Sequence, residues 1–140
     1  MATGEARLRA VGVRVTPQRL AVLAVLDRAR REGAHLLATE VTERSREILG
    51  RVSTQTVYDC LDALVSAGLV RRVALPDGPV RFESSSGPDH HHLVCSRCGR
   101  IRNVPGAPAA PNPELVERCG FDVGYAETVH VGLCRTCRED

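Results

Sequence analysis

Two pairs of cysteines near the C-terminal end of the chain have the spacing of metal ligands. Cys95 and Cys98 form one Cys-x-x-Cys pair, and Cys134 and Cys137 form the other. Each pair fits a tight turn, so two thiolates can reach the same ion, and four thiolates in a tetrahedron suit Zn²⁺ without leaving a position open for water. The pattern predicts a structural zinc site. Four free or disulfide-bonded cysteines are the alternative.

Three consecutive histidines form a second candidate site. Side chains alternate along a strand, so His90 and His92 share one face while His91 points to the other. Two imidazoles at that spacing can chelate one ion, and a carboxylate such as Glu83 completes a mixed nitrogen and oxygen site suited to Fe, Mn, Zn or Ni. His35 lies far upstream and carries little weight alone. A solvated histidine run is the alternative.

A predicted helix that begins at Ser53 carries side chains suited to DNA recognition. Hydrogen-bonding groups in the first turn of a helix meet base edges when that helix enters the major groove. Arginines near the preceding helix can reach phosphate or the minor groove. An ordinary surface helix with an N-cap is the alternative. The candidate DNA-binding residues are Arg14, Arg19, Ser53, Thr54, Gln55, Thr56 and Tyr58.

The two remaining cysteines are predicted to have packing roles. Cys60 lies three residues after Val57 and four before Leu64, which places it on the apolar face of its helix as a small buried residue. Cys119 ends a short C-terminal helix, and we expect it to pack there.

The N-terminal part of the chain has the pattern of a winged helix-turn-helix. Caps, apolar periodicity and terminal glycines predict three helices, and short apolar runs around Pro76-Asp77-Gly78 predict a β-hairpin. Thr16 is expected to cap the first of these helices, with Pro17 at its first position. The predicted helices are 17–32, 39–49 and 53–67, and the predicted strands are 69–75 and 80–83.

The C-terminal part is predicted to be a small α/β domain. The polar residues 84–89 are expected to form a hinge. Strands are predicted over 90–95, 101–104 and 121–131, with a short helix after Asn112 that ends at Gly120. The expected fold class is α+β, with an N-terminal winged helix-turn-helix domain (1–83) and a small C-terminal α/β domain with a four-cysteine zinc site (90–140).

Length and charge agree with two small modules. The 140 residues are too few for a large enzyme scaffold. Residues 1–82 carry 13 arginines and 9 acidic residues, a net charge of +4, whereas 83–140 carry 6 and 8, a net charge of −2. This asymmetry suggests different partners for the two halves. No apolar run is long enough for a membrane span and the first residues lack a secretion signal, so we expect a cytoplasmic protein.

In this order, the motifs resemble those of the ferric uptake regulator (Fur) family. The details at Tyr58-Asp59, Glu83-Ser84, Asp89-His90 and Ala126-Glu127 are most similar to the FurA-type branch, which represses catalase-peroxidase genes. The matching segments are Val15-Thr16-Pro17-Gln18-Arg19, Val52 to Leu61, Ala67-Gly68-Leu69-Val70, His90-x-His92-x-x-Cys95-x-x-Cys98-Gly99 and Gly132-Leu133-Cys134-x-x-Cys137.

The resemblance implies a dimeric, metal-dependent repressor, with an N-terminal winged-helix DNA-binding domain and a C-terminal α/β dimerisation domain, which binds an AT-rich palindrome in double-stranded DNA. We expect no enzymatic activity. It assigns Cys95, Cys98, Cys134 and Cys137 to a structural Zn²⁺, and His35, Glu83, His90 and His92 to a regulatory metal. Fe²⁺ is the expected regulatory ion, with Mn²⁺, Zn²⁺ or Ni²⁺ as alternatives. One ion bound by all four regulatory ligands would clamp the two domains and couple metal binding to DNA affinity.

Three positions depart from the family pattern. Asn103 stands where peroxide-sensing relatives carry an Asp ligand, and Glu83 stands where the most peroxide-reactive members have Asp. Ala126 replaces a histidine of an ancillary metal site, leaving Asp89, His91 and Glu114 as its remnant. Simple metal sensing is therefore preferred, and a peroxide response stays open.

Three other functions fit parts of the pattern. A zinc- or nickel-responsive uptake regulator is the first alternative, since histidine and glutamate ligands accept several ions. A metal-dependent hydrolase could use two histidines and a glutamate around an open metal, but a separate general base is missing. A structural zinc-ribbon adaptor is the third alternative, and it would bind no second metal.

Overall fold

The protein divides into two compact units, Met1–Ser86 and Gly87–Asp140. The structure, a computed structural model, describes residues 3–74, 78–86, 90–106, 112–123 and 127–139. The predicted domain limits at residues 83 and 90 stay a prediction. Among the described residues, no helix is long and apolar enough to cross a membrane.

The N-terminal unit contains four helices and a three-stranded antiparallel sheet. The strand order is β1-β3-β2, and β2 and β3 form the two strands of the predicted hairpin; the intervening residues 75–77 lie outside the described part. This arrangement confirms the winged helix-turn-helix. The elements are α1 (Gly4–Ala10), α2 (Pro17–Arg31), β1 (Leu36–Leu37), α3 (Ala38–Leu49), α4 (Thr54–Ser66), β2 (Val70–Val73) and β3 (Arg81–Ser84).

Side-chain caps fix where the helices of this unit begin. The Thr16 hydroxyl accepts a hydrogen bond from the backbone N–H of Arg19, and Pro17 occupies the first position of α2. The Ser53 hydroxyl accepts one from the N–H of Thr56 at the start of α4. The Ser53 cap fixes the first turn of α4, the predicted recognition helix.

The core of the N-terminal unit lies between α2, α3, α4 and the sheet. Leu26, Leu61 and Leu64 are fully buried within it. Cys60 is buried as predicted, and burial raises the pKa of its thiol. Apolar periodicity in the sequence therefore identified the face of α4 that packs inward.

The C-terminal unit is built around a mixed three-stranded sheet with strand order β5-β4-β6. The central strand β4 pairs antiparallel with β5 and parallel with β6. Only a few of its described residues are buried, among them Val94, Cys95 and Cys137, so this unit has little apolar core of its own. The elements are β4 (His90–Cys95), β5 (Ile101–Pro105), α5 (Pro113–Arg118), β6 (Val129–Gly132) and α6 (Arg135–Glu139).

Several local predictions were wrong or incomplete. Residues 124–126 of the long strand predicted over 121–131 lie outside the described part. Among its described residues only those of β6 form a strand, and the apolar side chains of Phe121 and Val123 are exposed. Cys119 is exposed rather than packed. The sequence analysis also missed α1, whose one buried residue is Leu8, and the short elements β1 and α6.

A substitution in the core tests this packing. Leu61→Ala should lower the free energy of unfolding by about 2–5 kcal/mol, because a buried leucine side chain is replaced by a cavity. The control Ile48→Ala removes an exposed side chain from α3 and should change it by less than about 0.5 kcal/mol. Urea denaturation of both variants measures the difference, and equal effects would contradict the assigned core.

Candidate metal centres and DNA-binding surface

The four predicted zinc ligands lie together in the C-terminal unit. Their Sγ atoms are all within 4.8 Å of one another, and those of Cys98 and Cys134 are 3.8 Å apart. A tetrahedral site with Zn–S bonds of about 2.3 Å has sulfur atoms about 3.8 Å apart. The cluster of Cys95, Cys98, Cys134 and Cys137 therefore has the size that one Zn²⁺ requires.

Local backbone structure brings the two Cys-x-x-Cys pairs together. Cys95 ends β4 opposite Gly132 at the end of β6, and the N–H of Ser96 donates to the carbonyl of Gly132. The turn after β4 closes at Gly99, which has a φ of 76° that favours glycine. The parallel pairing of β4 and β6 thus sets both cysteine pairs at one end of the sheet.

Backbone groups already favour thiolates in this cluster. The N–H groups of Cys98 and Cys134 point to Cys95 and lower the pKa of its thiol to about 5. The N–H of Cys137 lowers the pKa of Cys134. Interaction with the Cys134 thiol, together with burial, raises the pKa of Cys137 to about 12. Because metal binding requires thiolates, a bound cation would displace the remaining protons.

In the N-terminal unit the structure brings His35 and Glu83 together. His35 directly precedes the strand β1, which pairs with β3, where Glu83 lies. The distance from His35 Nε2 to Glu83 Oε2 is 2.7 Å, and both side chains are buried. One imidazole and one carboxylate are therefore held at the spacing of a hydrogen bond, and both atoms belong to groups that bind divalent metals.

Arg30, which the sequence analysis missed, holds the other oxygen of this carboxylate. Its guanidinium donates to Glu83 Oε1 at 3.0 Å and to the Ser84 carbonyl at 2.6 Å. A buried carboxylate needs a charged partner, and Arg30 supplies it from α2. Arg30, Arg31 and Glu32 are consecutive charged residues at the end of this helix, and nothing in the sequence indicates that Arg30 is the one that points inward.

The segment after Glu83 is also fixed to the N-terminal unit. Asp27 of α2 accepts hydrogen bonds from the hydroxyls of Ser84 and Ser86 and forms an ion pair with Arg7. The N–H of Ser85 donates to the Leu69 carbonyl. The first residues of the predicted hinge are thus bonded to α2 and to the start of the wing.

In the C-terminal unit, His90 and His92 lie on one face of β4, as predicted. Their Nε2 atoms are 3.1 Å apart, and both side chains are buried. With metal–nitrogen bonds of about 2.1 Å, this separation corresponds to an angle of about 95° at a shared ion. The pair can therefore chelate one metal.

Asn103 lies beside this pair, directly opposite His92 in the register of β4 and β5. Its Oδ1 atom is buried and has no hydrogen-bond partner in the described part of the chain. Asn103 thus offers a neutral amide oxygen rather than a carboxylate beside the two histidines.

Of the three residues predicted for the ancillary site, only His91 and Glu114 lie within the described part of the chain. Asp89 lies outside the described residues, and Glu114 is an exposed residue of α5. His91 instead lies next to His130, which the sequence analysis did not select. Within the described ranges, neither His91 nor Glu114 belongs to a cluster of three or more metal-binding side chains.

The predicted DNA-binding residues lie at the start of α4 and around the start of α2. Ser53 and Thr56 are hydrogen-bonded to each other, and Gln55 is bonded to Asp59. Thr54 and Tyr58 are exposed on the same helix.

Basic side chains lie near this helix end. Arg19 donates to the carbonyl of Arg14, which fixes the loop before α2. A shallow cleft next to α4 is lined by Gln18, Arg51, Val52, Ser53 and Thr56. Arg51 is therefore a further candidate for a phosphate contact. Its position in the sequence, two residues before the Ser53 cap of α4, could have indicated this role.

Comparison with known proteins places the chain in one family. Residues 10–123 match the sequence profile of the ferric uptake regulator family. The chain is 43% identical over 135 residues to "Ferric uptake regulation protein 2" of Mycolicibacterium fortuitum, covering 93% of this chain and 89% of that protein. It is 38% identical over 132 residues to "Transcriptional regulator FurA" of Mycobacterium tuberculosis, covering 94% and 87% respectively.

A solved structure shares the fold. The ferric uptake regulator from Pseudomonas aeruginosa, solved with manganese, is 28% identical to this chain. The match covers 96% of this chain and 99% of that one, with a TM-score of 0.73. With the family match over most of its length and relatives near 40% identity, this chain belongs to the ferric uptake regulator family.

Proposed function

We propose that this protein is a metal-dependent, DNA-binding transcriptional repressor whose affinity for its operator is set by one divalent ion. The ion would be bound by His35 and Glu83 of the N-terminal unit and by His90 and His92 of the C-terminal unit. The observation that carries this proposal is that each unit holds one buried pair of metal-binding side chains at a spacing suited to coordination.

Binding of one ion by both units would couple metal occupancy to DNA binding. A ligand that binds one arrangement of the units better than the others shifts the population towards that arrangement. If the same arrangement fits the operator, metal and DNA strengthen each other's binding by the same factor. The ion would act through its positive charge and by fixing the positions of its ligands.

The four cysteines would hold a structural Zn²⁺. This assignment is supported by the size of the cluster and by the lowered pKa of Cys95 and Cys134. A closed four-thiolate site has no open position for a substrate. The ion would tie β4, β6 and α6 together in a unit with little apolar core.

Fe²⁺ is the regulatory ion that we propose, in line with the names of the relatives. A zinc- or nickel-responsive regulator is the second candidate, and one specific observation favours it. The ligand set contains three imidazoles and a single carboxylate, and Asn103 adds only a neutral oxygen. Nitrogen-rich sites suit Zn²⁺ and Ni²⁺. A response to peroxide is a further proposal that rests on the similarity to "Peroxide-responsive repressor PerR" of Staphylococcus epidermidis, which is 29% identical over 140 residues.

We propose that the protein acts as a homodimer on an AT-rich palindrome, in the cytoplasm and without enzymatic activity. A dimer with two-fold symmetry presents two recognition helices to two half-sites. The C-terminal unit supports this role, because it exposes several large apolar side chains. Among the described residues these are Leu93, Val104, Leu115, Phe121, Val123, Val131 and Leu133.

Substitution of one regulatory ligand tests the proposed function. His90→Ala should abolish metal-dependent DNA binding, since a chelating imidazole is lost, while the zinc ion held by the four cysteines is retained. The matched control His91→Ala changes the adjacent histidine on the other face of β4 and should keep the metal dependence. Gel-shift titration with Fe²⁺ or Mn²⁺ and elemental analysis measure both. Metal-independent binding by the unsubstituted protein would refute the proposal.

Substitution of Arg30 tests its role as a positioning residue. Arg30→Gln should weaken binding of the regulatory metal by about 10- to 100-fold, because the carboxylate of Glu83 loses its charged partner and its fixed orientation. Arg31→Gln, which changes the exposed neighbouring arginine, is the control. Competition with a fluorescent chelator gives the affinities. Unchanged affinity in Arg30→Gln would show that this arginine has only a structural role.

A further inference from the structure

The opposite face of the C-terminal sheet carries a second histidine pair. His91 lies on β4 between His90 and His92 and points to the other side of the sheet. His130 lies on β6 directly opposite Leu93 in the parallel register, so it shares a face with Leu93 and His91. This pair is made by the tertiary pairing of two strands that are separated by more than 30 residues of sequence.

The two imidazoles have the geometry of metal ligands. His91 Nδ1 and His130 Nε2 are 3.4 Å apart, and the rings are stacked at an interplanar angle of 26°. With metal–nitrogen bonds of about 2.1 Å, this separation corresponds to an angle of about 108° at a shared ion, close to the tetrahedral value. An ion would take the place of the proton that a hydrogen bond between the two nitrogens requires.

The ring of His91 is confined before any ion binds. The backbone at Gly106 packs against the far edge of His91, where an added Cβ would lie 3.3 Å from both Cδ2 and Nε2. The opposite nitrogen of the same ring, Nδ1, faces His130. Because the ring is confined on one side, less conformational freedom is lost on binding. His130 is exposed, so solvent can complete the coordination.

We propose that His91 and His130 form an additional binding site for a divalent ion that prefers imidazole, namely Zn²⁺, Ni²⁺ or Cu²⁺. Ions that prefer oxygen ligands, such as Mg²⁺ and Ca²⁺, are excluded by the chemistry of the two ligands. The site differs from the expected ancillary set of Asp89, His91 and Glu114, because its second ligand comes from β6. It is independent of the four cysteines and of the regulatory ligands.

Zinc-binding stoichiometry of the full-length protein tests the site. We expect the unsubstituted protein to bind three Zn²⁺ ions per chain in competition with a chelator, and His130→Gln to bind two. Since His130 is exposed, this variant should fold normally. His91→Gln should lose the same ion, which identifies the pair rather than either residue alone. In both variants the metal-dependent binding of DNA should stay unchanged.

The outcomes separate this proposal from the proposed function. His90→Ala should lose a different ion, so the double variant His90→Ala/His130→Gln should bind one Zn²⁺ per chain. If His130→Gln binds as many ions as the unsubstituted protein, the additional site does not exist, whatever the gel-shift result for His90→Ala. If His130→Gln loses an ion but His91→Gln does not, the pairing of the two histidines is refuted.

Discussion

The pairing of a buried carboxylate with an arginine and a histidine is the interaction on which the proposed switch depends. Glu83 is almost fully buried, and a carboxylate in such a place is tolerated only when its charge is compensated. Arg30 compensates it through one oxygen, and His35 contacts the other. A metal that binds on the His35 side therefore meets a carboxylate that is already oriented, and it need not displace the arginine.

The same contacts connect the metal ligands to the elements that would read DNA. Glu83 lies on β3, which pairs with β2 of the wing and packs against α2. Arg30 and Asp27 bind the end of β3 and the residues after it from α2. Because α4 packs against α2 in turn, a change at Glu83 can act on this candidate recognition helix through well-packed, hydrogen-bonded elements.

Local signals in the sequence predicted most of the elements, whereas the partners of buried charges depended on tertiary structure. The caps at Thr16 and Ser53 and the alternation of His90 and His92 follow local rules, and the structure has them as predicted. Arg30 and His130 carry no such signal, since their roles arise from elements far apart in sequence. Phe121 and Val123 misled the prediction of a long strand, because exposed apolar residues imitate a strand pattern.

The number of imidazole ligands around the regulatory ion tests the central claim most directly. X-ray absorption spectroscopy of Mn²⁺ or Fe²⁺ bound to the zinc-loaded protein counts these ligands. One ion shared by the two units predicts three imidazoles in the unsubstituted protein and two in each of the variants His35→Ala and His90→Ala. An ion with two imidazoles whose spectrum does not change in His35→Ala would contradict the claim, because the N-terminal unit would then contribute no histidine.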